Sequence, residues 1–370
     1  MKKIILLGAT GSLGQQALEI LEKHRKYFEV EAISGYQNEK LLNRLSKKHK
    51  VPKTFLTFRD GKKSLLNFIK KSRAEIVINV VAGIAGIEPT IAALQSDKIV
   101  LLGNKESIVA EGEKVMKLAQ KTAEKLKIPH ALIPLDSEHN AIFEIFRFLE
   151  KKFSNPSILS GDQSLPKFTL KRIILPCSGG PFWRKTKAEL EKITPTEAST
   201  HPRWKMGRKI SIESATLLNK GFEILEAHYL FSLPLSKISV KIHPECQIHG
   251  MVEVENPMTP QGHAKPPPSR MKSTRFFAYL GHPDMREHIE NALLRAINLT
   301  PPTREIHQIN ISKFNLKNSA TKTLSGIKIV LDHFKNHPKS MKKFLQKEEK
   351  IIKKFLQNQI SFTEIFTVLS

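Results

Sequence analysis

The chain begins Lys2-Lys3-Ile4-Ile5-Leu6-Leu7-Gly8-Ala9-Thr10-Gly11-Ser12-Leu13-Gly14. A short apolar run passes directly into glycines spaced GxxGxxG, and a helical pattern follows over Gln15–His24. Glycines in such a turn let backbone N–H groups approach a pyrophosphate at a helix N-terminus, which points to a dinucleotide site. The other reading is a plain tight turn. Outward from this unit the pattern repeats. Apolar runs at Phe28–Ser34, Thr54–Thr57, Ile76–Val80, Ile99–Leu102 and Ala131–Leu135 alternate with helical stretches such as Glu39–Lys48. This alternation predicts a parallel sheet covered on both faces. From about 136 to 298 helices, strands and Gly-rich turns mix, suggesting an α+β domain, and from about 321 the chain looks helical.

Composition narrows the class. The 370 residues are 40% hydrophobic and 26% charged, which excludes disordered, collagen-like and mini-protein chains. Two cysteines, Cys177 and Cys246, are too few for a disulfide scaffold or a CxxC zinc site and suit a reducing compartment. The charged opening pair leaves no room for a leader, so a cytoplasmic location is expected. The most apolar long stretch, Ile76–Leu94, is interrupted by Asn79, Glu88 and Pro89, so no membrane partner is expected. The net charge is +25, carried by 46 Lys and 14 Arg. Lysines spread along the chain read as a solvated surface, and no nucleic-acid partner is expected. A basic nucleic-acid-binding module is the competing reading.

Four further motifs carry chemistry. Strand two ends Ala32-Ile33-Ser34-Gly35-Tyr36-Gln37-Asn38, without the acid that an NAD-specific site places there and without an Arg at the turn. The absent acid favours NADP. In Leu135-Asp136-Ser137-Glu138-His139-Asn140, an extended backbone would project both carboxylates to one side, as hard oxygen ligands for Mg²⁺ or Mn²⁺; helix capping is the equal alternative. Cys177-Ser178-Gly179-Gly180 is a compact anion corner or a turn, with Cys177 a small neighbour rather than a nucleophile. The densest stretch, His201-Pro202-Arg203-Trp204-Lys205-Met206-Gly207-Arg208-Lys209, leads into Ser214 through Glu223. On a helix Asn219, Lys220 and Glu223 share one face, either as a site or as a surface ion pair.

In order and wording these motifs resemble the 1-deoxy-D-xylulose 5-phosphate reductoisomerases, which perform the second step of the non-mevalonate isoprenoid pathway. The matching strings are GATGSLG (8–14), GNKES (103–107), PLDSEHNAIF (134–143), SGGPF (178–182), HPRWKMGRKISIESATLLNKGFEILEA (201–227), HPECQIHGMVE (243–253) and LGHPDMR (280–286). The resemblance implies an α/β chain in three parts. These are a Rossmann-like NADP-binding domain over 1–135, a central α+β catalytic and dimerisation domain over 136–298, and a C-terminal helical domain over 299–370. It implies that Asp136, Glu138 and Glu223 ligate one Mg²⁺ or Mn²⁺, and that Lys105 and Ser137 meet the oxygen-bearing carbons of a small phosphorylated ketose. Ser178, Ser214, Asn219 and Lys220 would hold its phosphate, with His201 lining the site and Trp204 and Met206 in a mobile lid. Thr10, Gly11, Ser12, Leu13, Gly35, Gln37, Asn104, Glu106 and Gly207 would lie along NADPH. The implied assembly is a homodimer.

The chain departs from the family in four places. Tyr36-Gln37 replaces a more usual basic-Asn pair. Pro176-Cys177 precedes Ser178. A Pro-rich stretch, Asn256–Ser273, replaces a short turn. The C-terminal segment reads Phe344-Leu345-Gln346-Lys347-Glu348-Glu349-Lys350 where the family carries LNAANE. An altered active-site wall or dimer contact is therefore expected, and a weakened relative with a scaffold role is the alternative to an active enzyme.

Overall fold

The computed structural model describes residues 1–153, 164–165, 168–200, 207–255, 274–301, 305–318 and 325–370. His201, Trp204, Met206 and the Pro-rich stretch lie outside these residues. The fold is α/β. Strands β1 (Lys2–Leu7), β2 (Phe28–Gly35), β3 (Lys53–Leu56), β4 (Ile76–Asn79), β5 (Ile99–Leu102) and β6 (Leu132–Pro134) form a parallel sheet in the order β3-β2-β1-β4-β5-β6. β4 and β5 are buried at every position, which is why they read as unbroken apolar runs. Thr57 is not the end of the third strand, because a short helix, Thr57–Asp60, starts there.

The strand order reverses between β1 and β4, and the glycine turn sits at that switch point. Gly8 has φ +87°, and a Cβ there would lie 2.7 Å from the Val80 carbonyl oxygen. Gly14 lets the helix Ser12–Lys23 pack on the strand, since its Cβ would lie 2.6 Å from Ala9 Cα.

The second sheet holds β8 (Phe168–Cys177), β9 (Ile238–Ile242), β10 (Ile248–Glu255), β11 (Thr274–Leu280), β12 (Ile306–Ile309) and β13 (Lys317–Asn318), in the order β12-β11-β10-β8-β9-β13, with β7 (Ser164–Leu165) pairing β8. Only β8 and β9 pair in parallel among these strands. β12 exposes His307 and Gln308 and β13 is two residues long, so neither forms an apolar run legible in sequence, and the helices of the last segment begin at Gly326. The helix Ser137–Phe153 packs on β10 and β11, and Met285–Ala296 returns to pack on Ser12–Lys23. Glu290 there meets Lys23 Nζ at 2.8 Å and His24 Nε2 at 2.6 Å.

Three C-terminal helices, Gly326–Asn336, Met341–Leu356 and Phe362–Leu369, share a second apolar core with the helix Leu218–Leu230. Phe344 meets Phe222 and Phe362 meets Phe182, both edge-on. No helix among the described residues is long and apolar enough to cross a membrane.

Gly221 lies on the face of Leu218–Leu230 that meets Gly326–Asn336, where a Cβ would come within 2.8 Å of Val330 Cβ and 3.3 Å of Ile327 Cα. Overpacking of this kind costs about 1–3 kcal/mol. Gly221→Ala is expected to lower the thermal midpoint in calorimetry, and an unchanged midpoint would show that the two helices separate freely.

Candidate active site

The site gathers at the carboxyl edge of the parallel sheet, where ligands bind in open α/β folds. Lys105 opens the helix Lys105–Leu126 just after β5, and Asp136 follows β6. The extended geometry expected for Asp136–Glu138 does not occur. The helix starts at Ser137, so Asp136 stands before its first turn and Glu138 within it. The capping and ligand readings therefore coincide in position. The carboxylate of Asp136 points to Lys105 Nζ at 2.5 Å.

The third acid comes from far along the chain. Leu217 adopts a left-handed conformation (φ 62°), breaking the helix Arg208–Ala215 from Leu218–Leu230. This break aims Asn219, Lys220 and Glu223 at the acids after β6. Glu223 Oε1 lies 3.4 Å from Lys105 Nζ and accepts a hydrogen bond from Asn219, while Oε2 pairs with Lys220. Lys220 Nζ also reaches Glu138 Oε1 at 2.5 Å and the Pro176 carbonyl at 2.7 Å. Lys105 donates to Asn219 Oδ1 at 2.7 Å, and Ser137 donates to Glu138 Oε2 at 2.6 Å. Lys220 and Glu223 are not a surface pair, since both are buried.

Asp136, Glu138 and Glu223 each offer an oxygen within 4.8 Å of the others, a hard-oxygen set that fits Mg²⁺ or Mn²⁺. A second layer supports it. His139 Nε2 donates to the Glu223 carbonyl at 2.9 Å, since a carbonyl only accepts. That leaves His139 Nδ1 facing Glu226 Oε2 at 3.4 Å. Neither residue was singled out from sequence as a site group, although each lies three positions after a candidate ligand, Glu226 on the same helical face as Glu223.

The electrostatics record an excess of acid. Burial, with the Glu138 charge nearby, pushes Glu223 up to about 7 despite the two lysines. Burial also pushes Glu226 up to about 7, against the pull of His139. For Glu138 burial is outweighed by Lys220, which holds it well below the usual carboxylate range. Burial opposes charge on Lys105 and Lys220, but their carboxylate partners raise both, so each stays an ammonium. Burial pushes the Cys177 thiol up to about 11, in keeping with a packing role.

The anion corner adjoins this cluster. Gly180 donates to Ser178 Oγ at 3.1 Å, and Gly179 and Gly180 have φ +87° and +71°. A Cβ on Gly180 would lie 2.8 Å from the Ser214 carbonyl oxygen, so the turn and the Arg208–Ala215 helix are in contact. On the cofactor side Gly11 precedes the helix Ser12–Lys23, whose first amides receive no side-chain cap. Leu13 packs on the core, and Gly35 makes room for Thr10, since a Cβ there would lie 2.9 Å from Thr10 Cγ2. An open glycine turn at the switch point fits a dinucleotide pyrophosphate. Asn104 is buried and donates to the carbonyls of Val81 and Gly83, both at 2.8 Å. Glu106 accepts from Gly83 N at 2.8 Å. Gly207 is exposed at the start of Arg208–Ala215, and Gln37 is exposed in the turn after β2.

The divergent C-terminal helix forms part of the wall. Glu349 accepts a hydrogen bond from Ile84 N at 2.9 Å, and Glu348 lies 3.2 Å from Lys209 Nζ, which also pairs with Glu213.

A switch-point glycine turn joined to a buried carboxylate cluster is the layout of a dinucleotide-dependent, metal-assisted enzyme. Comparison with known proteins narrows that class. Residues 4–58 and 37–112 match the model of 1-deoxy-D-xylulose 5-phosphate reductoisomerase, and residues 132–231 match that of its C-terminal domain. A reductoisomerase of Buchnera aphidicola (subsp. Acyrthosiphon pisum, strain Tuc7) is 31% identical over 389 residues, covering 100% of this chain and 90% of the relative. One from Thermoanaerobacter sp. (strain X514) is 40% identical over 273 residues, covering 68% of this chain and 65% of the relative. Among solved structures, DOX-P reductoisomerase in complex with NADPH, fosmidomycin and magnesium is 27% identical with a TM-score of 0.80, covering 100% of this chain and 88% of that one. The enzyme from Zymomonas mobilis in complex with NADPH is 26% identical with a TM-score of 0.74, covering 100% and 90%. This chain belongs to the 1-deoxy-D-xylulose 5-phosphate reductoisomerase family.

Removing one partner of a buried ion pair costs about 3–5 kcal/mol because the other charge is stranded. Lys220→Met strands Glu138 and Glu223 together. It is expected to lower the metal-free thermal midpoint and to enlarge the upward shift produced by Mg²⁺. Equal Mg²⁺ shifts in variant and wild type would place the cation elsewhere.

Proposed function

We propose that this chain catalyses the NADPH-dependent rearrangement and reduction of 1-deoxy-D-xylulose 5-phosphate to 2-C-methyl-D-erythritol 4-phosphate, in the non-mevalonate isoprenoid pathway. The observation that carries the reading is the Asp136–Glu138–Glu223 set, with Glu223 buried and the other two half-buried, at the same carboxyl edge of the sheet as the dinucleotide turn. When bound, the divalent cation supplies positive charge beside the adjacent oxygens of the ketose, and NADPH supplies the hydride that reduces the rearranged aldehyde.

The protein's own groups do the rest. Asp136, Glu138 and Glu223 hold the cation. Lys105, kept charged by its carboxylate neighbours, donates hydrogen bonds and stabilises developing oxyanion charge rather than acting as a base. Ser137, on the first turn beside Glu138, orients the substrate hydroxyls. Ser178, Ser214, Asn219 and Lys220 bind the phosphate, with His201 alongside, and this remote binding energy orients the reacting carbons. Contact between the Gly180 turn and Ser214 supports that grouping. Trp204 and Met206 cover the substrate and exclude water. Thr10, Gly11, Ser12, Leu13, Gly35, Gln37, Asn104, Glu106 and Gly207 line the cofactor path. Residues 1–135 bind the dinucleotide, 136–298 carry catalysis and dimerisation, and 299–370 close the far wall. The active form is a cytoplasmic homodimer.

The test follows NADPH absorbance with the ketose phosphate and Mn²⁺ or Mg²⁺. Oxidation that requires both substrate and metal is expected. Glu223→Gln is expected to cut the rate by at least about a hundredfold, with unchanged circular dichroism. Wild-type turnover in that variant would overturn the ligand assignment, and inactive wild-type protein would favour the scaffold reading.

A further inference from the structure

The turn after β2 lacks the basic residue common in the family, yet the short helix after β3 brings it a cation, Arg59, and a second ring, Phe58, beside its own Tyr36. Tyr36 and Phe58 are 63% and 69% exposed, unusual for large apolar side chains, and meet edge-on with centroids 5.9 Å apart. Phe58 N donates to the Tyr36 carbonyl at 3.0 Å, and Thr57 Oγ1 donates to the Gly35 carbonyl at 3.2 Å. Residues 57–59 are thereby laid along the turn. A dinucleotide whose pyrophosphate lies at Gly8–Gly14 extends its adenosine across the carboxyl end of β2, to this place.

Arg59 crosses the same turn. Its Nε and Nη2 donate to Asp60 at 2.7 and 3.3 Å, and Nη1 donates to Glu39 at the start of the helix Glu39–Lys48. A guanidinium has five N–H donors, so two remain. Glu39 is exposed, and surface pairs of this kind are weak, whereas Asp60 is less accessible and also accepts from Leu56 N at 2.8 Å. A dianionic phosphate offers the stronger charge-assisted partner.

We propose that Tyr36, Phe58 and Arg59 form the clamp for the adenosine 2′-phosphate end of NADPH, the rings receiving the adenine face and Arg59 the 2′-phosphate. The clamp rests on the NADPH reading above. It replaces a basic residue in the turn with one delivered by the short helix after β3, and it makes Glu39 a competitor that restrains affinity.

The test is direct titration of NADPH and NADH, followed by nicotinamide fluorescence, on wild-type protein and three variants with intact circular dichroism. Wild type is expected to prefer NADPH. Arg59→Leu should raise the Kd for NADPH about tenfold and leave NADH within about twofold, because only NADPH carries the phosphate. Glu39→Gln should tighten NADPH relative to NADH. The double variant Tyr36→Ala/Phe58→Ala should weaken both cofactors by about fivefold or more, since the adenine is common to them. A wild-type NADPH/NADH ratio in Arg59→Leu, or undiminished binding of both cofactors by the double variant, would overturn the clamp while leaving the NADPH reading standing. Wild-type protein that binds neither cofactor would overturn that reading, and the clamp with it.

Discussion

The structure is organised around an unbalanced buried charge. Among the described residues, Asp136, Glu138, Glu223 and Glu226 converge with Lys105 and Lys220 as their permanent counter-ions. At an effective dielectric near 20 two unit charges 4 Å apart interact by about 4 kcal/mol, so neighbouring carboxylates in this pocket cannot all ionise cheaply. Burial, reinforced by these neighbouring carboxylates, pushes Glu223 and Glu226 up to about 7. In the function proposed above, a divalent cation among Asp136, Glu138 and Glu223 would restore the balance. The same geometry would let Lys105 and Lys220 exchange a carboxylate for a substrate oxygen without leaving the site.

Several elements exist to bring these groups together. The ends of β5 and β6 supply Lys105 and Asp136, and the left-handed Leu217 redirects the chain so that Glu223 meets them. The C-terminal helices hold Leu218–Leu230 from behind through Phe222 and Gly221. Glu349 ties the helix Met341–Leu356 to the loop after β4, so the divergent segment still packs as a wall. Met341, Phe344, Leu345, Ile351, Ile352 and Phe355 of that helix are buried, and Leu356 is half-buried. Of its changed polar residues, Glu348 meets Lys209 and Glu349 meets Ile84.

Much of this was legible in the chain itself. All six parallel strands were legible, β4 and β5 because burial on both faces demands continuous apolar runs, although the third lies one residue earlier than expected, and Glu39–Lys48 and Ile99–Leu102 fall at their expected limits. Asn219, Lys220 and Glu223 were readable from helical spacing. Other features depend on tertiary contacts that a local reading does not see. A Rossmann strand and the helix that follows it leave no mark of how the next strand's loop will lie, so Arg59 was invisible at the turn after β2. The helix start at Ser137 was hidden because Asp and Ser suit both a cap and an extended segment. β12 and β13 gain their pairing from neighbours distant in sequence.

The central claim is that the Asp136–Glu138–Glu223 pocket is a cation site created by a charge deficit. Its most direct test is isothermal titration of metal-free protein with Mn²⁺, alongside Asp136→Asn. The account predicts saturable binding of one ion per chain that Asp136→Asn abolishes or greatly weakens. Absence of saturable binding, or an unchanged isotherm in the variant, would contradict it.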